Sequence, residues 1–125
     1  MILDTSFLVD LFLNRKEAIA LIDELEESEI LRTTSVSVYE IFRGIKNKDK
    51  IAKIERFFND IIVLNLDKDS AKVAGLLSKD LCEAGLEIDP EDYMIAAIAK
   101  ESNDTILTRN VNHFSRVPGL KIKSY

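Results

Sequence analysis

Five short stretches read as strands: Met1–Asp4, Ile30–Thr34, Ile61–Leu66, Thr105–Thr108 and Leu120–Ser124. Stretches of helical periodicity separate the first four of them. This alternation is the strongest constraint in the sequence. Strands joined through helices pair in parallel, because a parallel neighbour needs a crossover rather than a tight turn. The strands are largely apolar or β-branched without polar alternation, which suits a sheet covered on both faces. The expectation is an α/β fold with a parallel sheet between helices.

The helical stretches support this reading. Arg15–Ser28 carries Ala18, Leu21, Ile22 and Leu25 at the spacing of one apolar face. Ser37–Lys46 does the same with Val38, Ile41, Phe42 and Ile45, and Ser6–Leu13 and Lys48–Phe58 also read as helices. Asp67–Ala84 is a long helix with Gly85 at its C-terminal cap. Pro90–Ser102 is apolar through its middle and belongs in the core. Neither a repeat nor a linker interrupts the chain, so its 125 residues read as one domain, 1–125.

Several classes are excluded. The longest apolar run, Tyr93–Ala99, is far short of the roughly 20 residues of a membrane span. The first residues lack the basic start and apolar stretch of a signal peptide, so a soluble, cytoplasmic protein is expected. Cys82 is the only cysteine, which removes disulfides and cysteine-based zinc sites; it reads as a small core residue. The net charge of −5 argues against broad electrostatic attraction to nucleic acid. The charge is unevenly spread, however. Six acids and no base lie between Glu17 and Glu29, and six bases against Asp49 and Glu55 lie between Arg43 and Arg56. These are solvated helix faces, or one face that repels phosphate and another that attracts it.

In parallel sheets ligands gather beyond the carboxyl ends of the strands. Asp4 closes the first strand, Glu40 lies in the helix after the second, Asp92 opens the buried helix, and Asn110 follows the strand Thr105–Thr108. Each has an ordinary structural reading. Ser37 and Glu40 fit a capping box, Asp89–Asp92 a capped helix start with Pro90 at its first position, Asp4 a helix cap and Asn110 a turn. Together they form a carboxylate cluster with no cysteine or serine–histidine nucleophile. Clustered carboxylates repel, and a hard divalent cation relieves the conflict. Metal-assisted hydrolysis of a phosphodiester is the chemistry this suggests. His113, the single histidine, reads as a turn or packing residue, and Phe7, Leu8, Leu11 and Phe12 as core or part of a groove for a partner helix.

These residues also carry a resemblance. Ile2–Ser6, Ser35–Glu40 with Gly44, Asp92–Ala99, and Ile106–Asn110 with Phe114 and Val117–Leu120 occur in the order of the motifs of a PIN domain. Among PIN domains the chain is similar to the VapC-type toxins of toxin–antitoxin pairs. The resemblance implies a three-layer α/β/α fold around a central, mostly parallel sheet of four to five strands. It implies a Mg²⁺- or Mn²⁺-dependent ribonuclease, usually a homodimer and usually held inactive by a small antitoxin protein. Asp4, Glu40 and Asp92 match the acidic metal ligands of the family, and Thr5 or Ser6 and Thr108 its supporting hydroxyls. Asn110 stands where a fourth acid is frequent and His113 where Asp is common. Asn offers one carbonyl oxygen and no charge, so the second metal position is expected to be weaker. Arg43 and Arg109 are candidate phosphate contacts, and the basic stretch Lys46–Arg56 a guide for the RNA backbone. Two other readings stand beside this one: a non-catalytic PIN-like domain that binds a partner, and a housekeeping RNA-processing nuclease.

Overall fold

In the computed structural model, which describes residues 1–125, strand β1 (Ile2–Leu3) leads into α1 (Thr5–Phe12) and α2 (Lys16–Ser28). Strand β2 (Arg32–Thr34) is followed by α3 (Ser35–Gly44), a 3-10 turn (Lys48–Lys50) and α4 (Ile51–Asp60). Then come β3 (Ile62–Leu64), α5 (Lys68–Glu83), α6 (Pro90–Glu101), β4 (Thr105–Leu107), α7 (Val111–Phe114) and β5 (Lys121–Lys123). All five strands pair in parallel, in the order β3-β2-β1-β4-β5.

The period-2 alternation of strand side chains builds the two cores. Ile2 of β1 and Ile106 of β4 are register partners, as are Leu3 and Leu107. Ile2 and Ile106 point into a core shared with Ala74 and Leu81 of α5, the run Ile95–Ala99 of α6 and Phe114 of α7. Leu3 and Leu107 point the other way, onto Phe7, Leu8 and Leu11 of α1, Ala18, Ile22 and Leu25 of α2, and Ile54 and Phe58 of α4. The result is helix layers on both faces of a parallel sheet. Phe7, Leu8 and Leu11 are thus core, and only Phe12 of that group is left partly exposed. Cys82 is not core: Leu81 takes the inward position of that turn, and the Cys82 thiol is exposed beside Glu87.

Most helix boundaries follow local chemistry. Thr34 caps α3 by accepting the Ser37 N–H, so this helix starts two residues before the sequence pattern suggests. Asp67 and Ser70 close a capping box at α5, and Gly85 beyond its end has φ +71°, a conformation glycine adopts without steric cost. Pro90 occupies the first turn of α6. The stretch read as one helix over Lys48–Phe58 divides into the 3-10 turn and α4, with Asn47 bonding the Asp49 N–H to start the turn.

At the amino ends of the strands, Asp104 ties three of them together. Its carboxylate bonds the Met1 amino group at 3.0 Å, Arg32 at 2.9 Å and the Thr105 N–H at 2.7 Å. Burial pushes the Asp104 carboxyl up, but these donors outweigh it and hold its pKa below the ordinary value. A depressed folded pKa contributes stability that is present above the ordinary carboxylate range and lost as pH falls through the depressed value. Asp104→Asn is therefore expected to cost about 1–3 kcal/mol at neutral pH. Thermal melts should show the variant lower by roughly 4–10 °C at pH 7, with the gap closing as the pH is taken below 4.

Candidate active site

The order β3-β2-β1-β4-β5 reverses direction between β1 and β4. Loops leaving the carboxyl ends of these two strands turn to opposite sides and leave a crevice. Asp4 follows β1 there, and Thr108 follows β4. Asp4 is 3% exposed and caps α1. Its Oδ2 accepts from Thr108 Oγ1 at 2.7 Å, Ser6 Oγ at 2.9 Å and the Ser6 N–H at 3.4 Å. Its Oδ1 accepts no hydrogen bond within the chain, yet no unpartnered side-chain oxygen is buried, so Oδ1 opens to solvent.

The other two acids repeat this division of labour. Thr5 Oγ1 donates to Glu40 Oε1 at 2.8 Å, and the second Glu40 oxygen faces Arg43 at 3.9 Å. Asp92 Oδ2 receives His113 Nδ1 at 2.8 Å and Asn110 Nδ2 at 3.4 Å, while its Oδ1 has no partner in the chain. The hydroxyls of Ser6 and Thr108 thus bond Asp4, and that of Thr5 bonds Glu40. Glu40 does not close a capping box, since Thr34 caps its helix. Asn110 is the N-cap residue of α7, but its side chain makes no cap bond and turns to Asp92 instead.

The three carboxylates feel one another. Burial is the largest influence raising the Glu40 pKa, opposed by the Thr5 bond and reinforced by the charges of Asp4, Asp92 and Glu91. Burial likewise raises Asp92, opposed by the His113 bond and reinforced by Asp4. The closest trio of ligand atoms, however, belongs to Asp89, Asp92 and His113, within 4.8 Å of one another. Asp4 and Glu40 stand outside that tighter group, coupled to Asp92 through their fields. Asp89 starts α6 but makes no side-chain cap bond.

Asp89 and His113 are the members that sequence reasoning missed. Both carry a helical signal: Asp89 lies three residues before Asp92, and His113 three after Asn110. Asp10 interrupts the apolar run of α1. It is 6% exposed, accepts from Arg109 at 2.8 and 3.0 Å, and takes the Tyr125 hydroxyl at 2.7 Å. Burial, followed by the bond to Asp10, raises the Tyr125 phenol well above its ordinary range. The Arg109 guanidinium is therefore committed to an ion pair, and the Arg109 backbone N–H donates to Ser6 Oγ at 3.1 Å. This brace connects α1 to the loop that holds Asp4. Arg43 is freer: it lies 3.6 Å from Glu91 and packs over the Tyr39 ring at 5.2 Å.

Both the sequence and the fold have known relatives. The PIN domain family matches residues 1–120. Ribonuclease VapC19 of Mycobacterium tuberculosis is 29% identical over 121 residues, 96% of each chain. The tRNA(fMet)-specific endonuclease VapC of Shigella flexneri is 31% identical over 96 residues, 74% of this chain and 73% of that protein. Among solved structures, DNA-bound VapBC from Salmonella typhimurium superposes with a TM-score of 0.85 at 28% identity, covering 98% of this chain and 96% of that one. The chain belongs to the PIN-domain family and, within it, to the VapC-type ribonucleases.

Proposed function

We propose that the chain is a Mg²⁺- or Mn²⁺-dependent endoribonuclease whose ion is held by Asp4, Glu40 and Asp92, and that it is the toxin of a toxin–antitoxin pair acting in the cytoplasm. One observation carries this reading. Three carboxylates stand near enough at the crevice for their charges to couple, each with one oxygen tied by neighbours, and Asp4 and Asp92 with the other unpartnered. An all-oxygen donor set of mutually repelling acids fits a hard divalent cation. Such an ion, when bound, supplies Lewis acidity toward the phosphodiester and acidifies a water for attack.

The side chains do the rest of the work. Ser6 and Thr108 fix the Asp4 carboxylate, Thr5 fixes Glu40, and Asn110 and His113 fix Asp92, so no ligand must reorganise during the reaction. Arg43 supplies a cation at the edge of the acids for a non-bridging phosphate oxygen. Water adds to phosphorus and the 3′ oxygen departs, leaving a 5′-phosphate and a 3′-hydroxyl. Two VapC relatives are named for action on tRNA(fMet), which makes a folded RNA with an accessible loop the substrate class to test first.

The partners fit other surfaces. A hollow of about 480 Å³ lined by Val9, Phe12, Leu13, Ile41, Ile45 and Ile54 runs up to Glu40 and suits the apolar face of an antitoxin helix. VapBC complexes among the structural neighbours support such a partner. Two further hollows sharing Leu66, Pro90 and Met94 offer an apolar face to a second copy of the chain, consistent with a homodimer.

Cleavage of a labelled tRNA should require Mg²⁺ or Mn²⁺ and stop on chelation. Asp4→Asn and Asp92→Asn should each lower kcat by about 10²–10³-fold with the circular dichroism spectrum unchanged. Cleavage indifferent to chelator would sink the proposal. Asn110→Asp adds a fourth charge and should tighten Mn²⁺ binding roughly tenfold by calorimetry. In chelator, Glu40→Gln should melt above the parent at pH 7–8. A raised folded pKa favours the fold below the ordinary carboxylate range, and that benefit is lost as pH rises through the raised value. The advantage of Glu40→Gln should accordingly shrink toward pH 4, where the parent carboxyl is protonated as well.

A further inference from the structure

We infer that the ridge Lys46, Lys50 and Lys53 is the track that holds the RNA backbone as it leaves the cleavage site; the inference rests on the ribonuclease reading. Lys46 and Lys50 line the same hollow as Glu40, so the ridge begins beside one of the three acids. Lys53 and Arg56 continue it along α4, and the ridge from Lys50 to Arg56 extends about 9 Å at the rise of a helix. All four side chains are exposed, and none takes part in an ion pair. Asp49 and Glu55, the two acids within the stretch, do not pair with them either.

This is unusual company for free cations. The chain carries a net charge of −5, yet six bases stand between Arg43 and Arg56. Crowded like charges repel, and a ridge kept for solubility alone would be interspersed with acids. Arg43 is the exception that marks the boundary, since it pairs with Glu40 and Glu91 at the site itself. Helix α2 and its C-cap residue Glu29 hold six acids and no base between Glu17 and Glu29, so a polyanion is repelled there. A chain of phosphates entering the acidic crevice is drawn out over one side only. Ammonium groups on flexible stems hold phosphate as point charges and read no sequence, which assigns the ridge to affinity and not to base choice.

The test compares Lys46→Gln/Lys50→Gln/Lys53→Gln with Lys68→Gln/Lys72→Gln/Lys79→Gln on α5, which removes the same charge elsewhere. Cleavage kinetics on tRNA across a salt series and anisotropy of a labelled oligouridylate in chelator are both read. Contacts made equally in the ground and transition states change KM and spare kcat. The ridge variant should raise KM roughly 10–50-fold near physiological salt and flatten the dependence of log KM on log salt by about 2, while the α5 variant stays close to the parent. A ridge variant that matches the α5 variant in KM, salt slope and oligouridylate affinity overturns the inference. So does one that keeps RNA affinity but no longer co-purifies with a co-expressed antitoxin, which would assign the ridge to a protein. If the parent binds oligouridylate through the ridge but cleaves nothing with either cation, the ridge stands and the ribonuclease reading falls.

Discussion

A carboxylate with almost no contact with solvent governs this molecule. Burying an ionised acid is costly unless hydrogen bonds replace the lost water. Asp4 meets that requirement with one oxygen, through Ser6 on its own helix and Thr108 after β4. The same bonds that make Asp4 tolerable also aim its second oxygen outward. Site formation and fold formation are thus one event at the junction of β1 and β4, and the paired strands Leu3 and Leu107 bring the two donors into place. Asp104 performs the mirror task at the opposite ends of the strands, where cations and an N–H absorb its charge.

Much of this was legible in the sequence. Strand existence, parallel pairing and the buried α6 followed from apolar runs and helical spacing, because burial on two faces leaves a compositional mark. Asp4 and Asp92 stood out because one closes a strand and the other opens a helix, and Glu40 because it lies in the helix that follows β2. What escaped was anything decided by contacts distant in sequence. His113 and Asp92 are 21 residues apart and meet at 2.8 Å, and no local pattern announces that pairing. Asp10 was visible as a charge among apolar neighbours, yet its partners Arg109 and Tyr125 lie 99 and 115 residues away. Helix edges moved for a similar reason: Thr34 captures the Ser37 N–H and draws α3 forward, whereas the sequence pattern favoured Ser37 as the cap.

The departures at Asn110 and His113 form one unit. Where a fourth acid would add charge, Asn110 donates to Asp92 and sits 3.0 Å from His113 Nδ1. With Asp92 ionised, the His113 ring must carry its hydrogen on Nδ1 to donate to Oδ2. An amide and an imidazole therefore steady Asp92 from the side where a carboxylate would have repelled it. The charge of a fourth carboxylate is given up there, and the Asp92 side chain is held in one orientation.

The strand order has a consequence in time. β1 is synthesised well before its partner β4, which lies about a hundred residues downstream, as the 104-residue separation of Asp4 and Thr108 shows. Until that late segment appears, Asp4 lacks its Thr108 donor and the crevice has only one wall. A nascent chain therefore cannot close this crevice until about a hundred residues beyond β1 have been made.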